Sequence, residues 1–151
     1  MKKEFIVGAA LAMLLAGCGN ANTGVTEEGA SASDSDAKGT TTVAEVKGDD
    51  DTTKAEVTKV DGKVTGVTID VLDADGVSKK DLGDKYGMKK ASTIEKEWYE
   101  QVEFLENYIL ENGVDSIKLN DEGKAENEDL KSGCTISISN MVEAVKEAEA
   151  K

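Results

Sequence analysis

Asp61-Gly62 constrains this chain more than any other pair of residues. A two-residue hairpin loop needs positive φ at both central positions, and Asp-Gly meets that need. The flanks alternate. Lys54–Val60 precedes the turn and Val64–Leu72 follows it. In the second run Val67, Ile69 and Val71 share one face, while Thr68 and Asp70 take the other. Period-two alternation around such a turn predicts an antiparallel hairpin with one buried face. Val43–Lys47 can add an edge strand. An apolar sheet face must be covered by another layer, and two later segments can supply it.

The first is a helix over Thr93–Glu111. Ile94, Trp98, Val102, Leu105 and Ile109 step along one apolar stripe. Ser92 with Glu95 forms a capping box at its start, and Asn112-Gly113 stops it. The second is a closing helix capped by Ser139, in which Val142 and Val145 continue the apolar step from Ile138. Between these anchors the pattern is weaker. Ser78–Met88, with two glycines around Tyr86, reads as a short helix or tight loop. Ser116–Leu119 is a short strand candidate, and Ile136 and Ile138 alternate with Ser137 and Ser139 as a strand would. Asp73-Ala74-Asp75-Gly76 lacks the sixth-position Gly and twelfth-position Glu of a calcium loop, so it reads as a solvated acidic turn. Asp49–Asp51 reads as a charged loop. The expected fold is one small α+β domain over residues 43–151, an antiparallel sheet packed by two main helices. Roughly 105 residues can bury one modest core.

The residues before it have another character. Lys2 and Lys3 lead an apolar run, Phe5–Leu15, that is too short to span a bilayer. Leu15-Ala16-Gly17-Cys18 then places small residues before a cysteine. This segment resembles the signal of bacterial lipoprotein precursors, which implies removal of residues 1–17 and a diacylglycerol thioether on Cys18. The alternative is an ordinary signal peptide with an incidental cysteine. Residues 18–42 read as a flexible, lipid-anchored linker, because Asn20–Thr42 is Gly, Ser, Thr, Ala and acid with almost no large apolar residue.

Loss of residues 1–17 leaves 134 residues with 16 lysines against 30 acids, a net charge of −14, and no Arg, His or Pro. Such a balance argues against nucleic acid, which is held by neutralising phosphates. It argues equally against a polybasic grip on anionic lipid.

The stretch that asks for chemistry is Asp129-Leu130-Lys131-Ser132-Gly133-Cys134-Thr135, of the form D-x-x-S-G-x-T. It resembles the FMN-binding domain family, whose D-x-x-[ST]-G-A-T signature carries flavin mononucleotide on the threonine. The resemblance implies a phosphoester between FMN and Thr135, made by a flavin transferase that draws on FAD. Ser132, Gly133 and Asp129 fall at the other fixed positions, and Cys134 departs from the family's Ala. The segments Leu82–Met88, Lys89–Ser92 and Glu97–Gln101 are similar to a subset of that family, surface flavoproteins of Gram-positive bacteria linked to extracellular electron transfer. The likeness runs over residues 54–147.

The residue types suit an ester. Gly133 is expected to clear the phosphate's approach, with Ser132 or Cys134 as small neighbours. Backbone N–H groups and Lys131 are the candidate phosphate partners, since no Arg can offer a fork. Asp129 is a poor phosphate neighbour and suits recognition by the transferase or a metal bridge during transfer. Cys134, the only cysteine left once Cys18 is lipidated, either packs quietly in place of Ala or reacts beside the flavin; the first carries more weight. Trp98 or Tyr99 is a candidate to flank the isoalloxazine ring, but Trp98 lies on the apolar stripe and core is the stronger reading.

The resemblance implies an electron carrier at the extracellular face of the cytoplasmic membrane. Electrons would pass from a membrane quinone-linked reductase, through covalent FMN, to an external acceptor. No catalytic acid or base is expected, which fits the lack of His. The alternative is a cofactor-free surface lipoprotein acting as a binding or signalling module, with its signal peptide a possible pheromone source. A reductase with its own organic substrate is least favoured, since a domain of this size lacks room for a second substrate domain.

Overall fold

The computed structural model describes residues 39–151. The expected signal peptide, Cys18 and the linker up to residue 38 lie outside the described residues.

The domain is α+β, as the sequence pattern predicts. Three strands, β1 (Thr40–Lys47), β2 (Asp51–Val60) and β3 (Lys63–Asp73), form an antiparallel sheet in the order β1-β2-β3. Asp61 and Gly62 join β2 to β3 at φ 52° and 79°, the left-handed pair that a two-residue hairpin demands. Register places Ala44, Ala55 and Ile69 in one cross-strand row, and Val46, Thr53 and Val71 in the next. A third row runs through Thr42, Val57 and Val67. These rows make the core face. Thr68 faces solvent on the other side, as the alternation requires.

The sheet takes in Thr40–Thr42, which the sequence reading assigns to the linker. The reason is tertiary. The Thr41 and Thr58 hydroxyls meet at 2.9 Å, and Thr42 Oγ1 donates to the Ala148 carbonyl at 2.6 Å. Threonine is a good strand residue when its hydroxyl finds such partners.

Two main helices cover the core face. They are α2 (Trp98–Asn112), which packs mainly on β3, and α4 (Ser139–Glu149), which packs on β1 and β2. Two single turns complete the set, α1 (Lys79–Leu82) and α3 (Glu128–Lys131). A 3₁₀ turn, Gly83–Tyr86, follows α1, so Ser78–Met88 is the short-helix-and-tight-loop segment expected. Asp73–Gly76 is the expected acidic turn, with Asp73 Oδ1 accepting the N–H groups of Asp75 and Val77. Among the described residues no cluster of three or more metal-ligating side chains occurs.

Several boundaries differ from the sequence reading. α2 begins at Trp98, with Glu97 and Glu100 as its capping box, rather than at Thr93. Glu95 sits at φ 52°, which a helix cannot continue through, and the Ser92 hydroxyl is engaged by Gln101. Ile94 therefore lies in a turn, half-buried, while Trp98, Val102, Leu105 and Ile109 keep the stripe. Ser116–Leu119 is not a strand; a 3₁₀ turn over Val114–Ser116 leads to a lone bridge between Leu119 and Ala125. Ser137 likewise makes a single bridge, to Lys124. Ser139 is the first residue of α4, not its cap, which is Ile138.

Candidate functional site

α3, the loop after it and the start of α4 present Asp129–Thr135 beside the N-terminal half of α2. The helical turn ends at Ser132, whose hydroxyl donates back to the Asp129 carbonyl at 2.6 Å. The Gly133 and Cys134 N–H groups both reach the Leu130 carbonyl, at 3.1 and 2.9 Å. Leu130 is wholly buried and pins this turn to the core.

Thr135 follows, half-buried in an irregular stretch. Its partner is Gln101, a side chain with no exposed surface. Gln101 Oε1 accepts the Thr135 N–H at 2.9 Å and the Thr135 hydroxyl at 3.3 Å. Gln101 Nε2 donates to the Lys96 carbonyl and the Ser92 hydroxyl, both at 3.2 Å. Backbone groups of fixed polarity on both sides set the amide's orientation, since an N–H needs the oxygen and a C=O needs the nitrogen. The segment Glu97–Gln101 carries part of the family resemblance, but sequence reasoning gives Gln101 no role. A lone Gln on a helix with a single apolar stripe gives no sign of what it reaches 34 residues away.

Thr135 lines an open groove of about 600 Å³. Met88, Ala91, Ala125 and Ile136 give it apolar wall, and Ser92, Thr93, Asn120 and Ser137 give it polar wall. Lys124 and Lys131 also line it, each paired to an exposed glutamate, Glu122 at 2.8 Å and Glu128 at 2.6 Å. Exposed pairs of this kind are weak and exchange readily for another anion. Lys89 and Lys90 line a smaller cleft that shares Ser92 and Thr93 with the groove. Two lysines thus line each cleft, with Glu95 beside the second pair and glutamate partners on the first.

The other expected site residues scatter in instructive ways. Gly133 does not clear space at the groove. A Cβ there would lie 2.3 Å from the Phe104 ring, so its bare backbone serves ring packing on α2. Phe104 in turn has Lys96 Nζ at 4.9 Å from its centroid. Asp129 is exposed and accepts a long bond of 3.5 Å from the Tyr108 hydroxyl, and it does not line the groove. Cys134 is fully buried, and burial pushes its thiol up to about 11. Ser132 is exposed and engaged with its own turn. Trp98 is core, 6.3 Å from the Tyr86 ring centroid, and lines a different, smaller cleft. The structure therefore brings Thr135 and Lys131 to the groove and leaves Asp129, Ser132, Gly133, Cys134 and Trp98 off its walls.

The arrangement fits the role an ester-linked phosphate would need. Thr135 is a groove-wall residue whose hydroxyl is held by a buried amide, and Lys124 and Lys131 line the same groove. Gln101 is not a base, and no titratable side chain bonds the Thr135 hydroxyl among the described residues.

No protein-family model matches the chain, and no curated protein matches it. Its fold is similar to a protein from Clostridium thermocellum solved by solution NMR, at 23% identity and a TM-score of 0.51. The match covers 74% of this chain and 88% of that one. At this identity the likeness extends to the fold alone.

Proposed function

We propose that this chain is an electron carrier that holds FMN as a phosphoester on Thr135. Its place would be the extracellular face of the cytoplasmic membrane, anchored through Cys18. A membrane quinone-linked reductase would be the donor and an external acceptor the recipient. The observation that carries the reading is the position of Thr135. The threonine picked out by the D-x-x-S-G-x-T pattern lines a groove whose size falls in the range of small-ligand sites. FMN, when attached, supplies the reversible uptake of electrons, and the protein supplies attachment, orientation and charge.

Each remaining part of this chain has a definable task. Gln101 fixes the residue that bears the ester. Lys131 and Lys124 favour a phosphate by charge. Met88, Ala125 and Ile136 offer apolar surface to the flat face of a ring. Asp129, exposed on α3, is free for recognition by the flavin transferase, the role that charge leaves open to it. Among the described residues no helix is long and apolar enough to cross a membrane, so anchoring in this reading falls to Cys18.

Intact mass and in-gel flavin fluorescence of the denatured protein test this directly. The chain is co-expressed with a flavin transferase, as wild type and as Thr135→Ala. A gain of one FMN minus one water on the wild type, absent from the variant, is the expected result. A protein with neither adduct nor colour would move the assignment to a cofactor-free binding module.

A further inference from the structure

We infer that Gln101 is a positioning residue for the attachment of FMN, acting on the backbone and rotamer of Thr135; the inference rests on the reading of Thr135 as the attachment point. Thr135 lies in an irregular stretch outside any helix or strand, so its placement needs a support from elsewhere in the fold. Gln101 gives that support with a single oxygen that accepts both the N–H and the hydroxyl of the same residue. The amide is itself immobile, because its nitrogen is held by the Lys96 carbonyl and the Ser92 hydroxyl and its whole side chain is buried. Thr135 thus sits on a loop but is held from the rigid helix α2, which is the arrangement precise placement calls for.

The two bonds differ in a useful way. The hydroxyl bond, at 3.3 Å, is long and yields easily, whereas the 2.9 Å bond to the N–H is of ordinary strength. In the transfer, Thr135 Oγ1 forms a bond to the flavin-side phosphorus of FAD. The phosphoanhydride bond breaks, AMP leaves with its electron pair, and the hydroxyl proton passes to a base of the transferase. Once that proton is gone, Oγ1 and Oε1 are both acceptors and no longer attract. The N–H bond then keeps Thr135 in place while its ester oxygen turns toward the groove.

The test uses purified apo-protein, flavin transferase and FAD, with initial rates of FMN incorporation. Gln101→Met keeps the volume and removes both bonds. We expect its kcat to fall on the order of tenfold to a hundredfold while KM for the apo-protein stays within about twofold. Gln101→Glu adds a pH readout. Its protonated carboxyl keeps one acceptor and one donor and so mimics the amide, whereas the carboxylate opposes the Lys96 carbonyl. Its rate relative to wild type should therefore rise as pH falls. Val145→Ala, a core change that lines no part of the groove, controls for lost stability and should label at the wild-type rate. Amide exchange of Thr135 in the apo-protein gives a measure free of flavin, and it should quicken in Gln101→Met. Wild-type kcat in Gln101→Met, or unchanged Thr135 exchange, would overturn the inference and leave Thr135 standing as the attachment point. Failure of the wild type itself to take up FMN would sink both.

Discussion

Cys134 stands where the family resemblance leads one to expect alanine, and its burial decides what it can do. A thiol shut away from water resists ionisation, so its pKa rises from 9.0 to about 11, chiefly through desolvation. At neutral pH it is a small apolar side chain rather than a nucleophile. The shift has a thermodynamic sign. Below 9.0 both folded and unfolded thiols are protonated, and the contribution is fully present. Between 9.0 and about 11 the unfolded chain releases a proton that the folded chain retains, so stability falls as pH rises. The loss attributable to this group is about 2 kcal/mol across that window. Urea unfolding of wild type should lose stability more steeply there than that of Cys134→Ala, and equal slopes would refute the assignment. At this scale a short sequence pattern points to Thr135, and the structure sets that residue on a groove wall. Gln101 and the true task of Gly133 were not legible in the sequence. Each depends on a partner that only the packing of α2 brings near, Thr135 for Gln101 and the Phe104 ring for Gly133.

Strands and helices were legible in proportion to how local their causes are. The hairpin is dictated by two adjacent residues and an alternation, so β2 and β3 emerged almost whole. The core stripe of α2 was equally plain, but its start was not. Glu95 at positive φ and the capture of Ser92 by Gln101 reflect tertiary contacts rather than propensity. Ser116–Leu119 alternated like a strand yet found no strand to pair with. A related issue is the outer edge of β3, whose N–H groups have no strand beyond them. α2 settles part of it through Glu106. That carboxylate accepts the Ile69 N–H and the Lys80 ammonium, both at 2.5 Å, with only 12% of the side chain exposed. Glu106→Ala leaves a sheet donor and a lysine without their partner, and we expect a loss of about 1–3 kcal/mol in chemical denaturation. Glu106→Gln, which keeps an acceptor for Ile69, should cost less. Equal stability of all three proteins would refute the bridging role.

Across the whole molecule, the sequence announced an acidic chain but not where its few cations gather. Lys124 and Lys131 line the groove and Lys89 and Lys90 the adjoining cleft, and a phosphate bound there competes with Glu122 and Glu128 for the first two. Lysines placed so attract an anion more than the rest of this acidic chain does, and salt screens the attraction. In Thr135→Ala, where no ester can form, free FMN should bind more tightly than riboflavin at low salt. The advantage should shrink as salt is raised; titration of flavin fluorescence reads it, and no preference for FMN would count against the lysines. The far end of α4 carries a different lesson. Its last turn and the residues after it are sewn to β1 and β2: Thr42 of β1 reaches the Ala148 carbonyl at 2.6 Å, Lys59 of β2 reaches the Glu149 carbonyl, and Lys151 reaches the Val43 carbonyl of β1 at 2.6 Å. A tug transmitted along the backbone ahead of Thr40 enters the domain through β1. The stitches pass that load into β2 and the C-terminal turn, and no residue of β1, β2 or α4 lines the groove. The domain is thus laid out like a strain-relieved cable: a load entering at β1 meets cross-links to β2 and the C-terminal turn before it meets any residue of the groove.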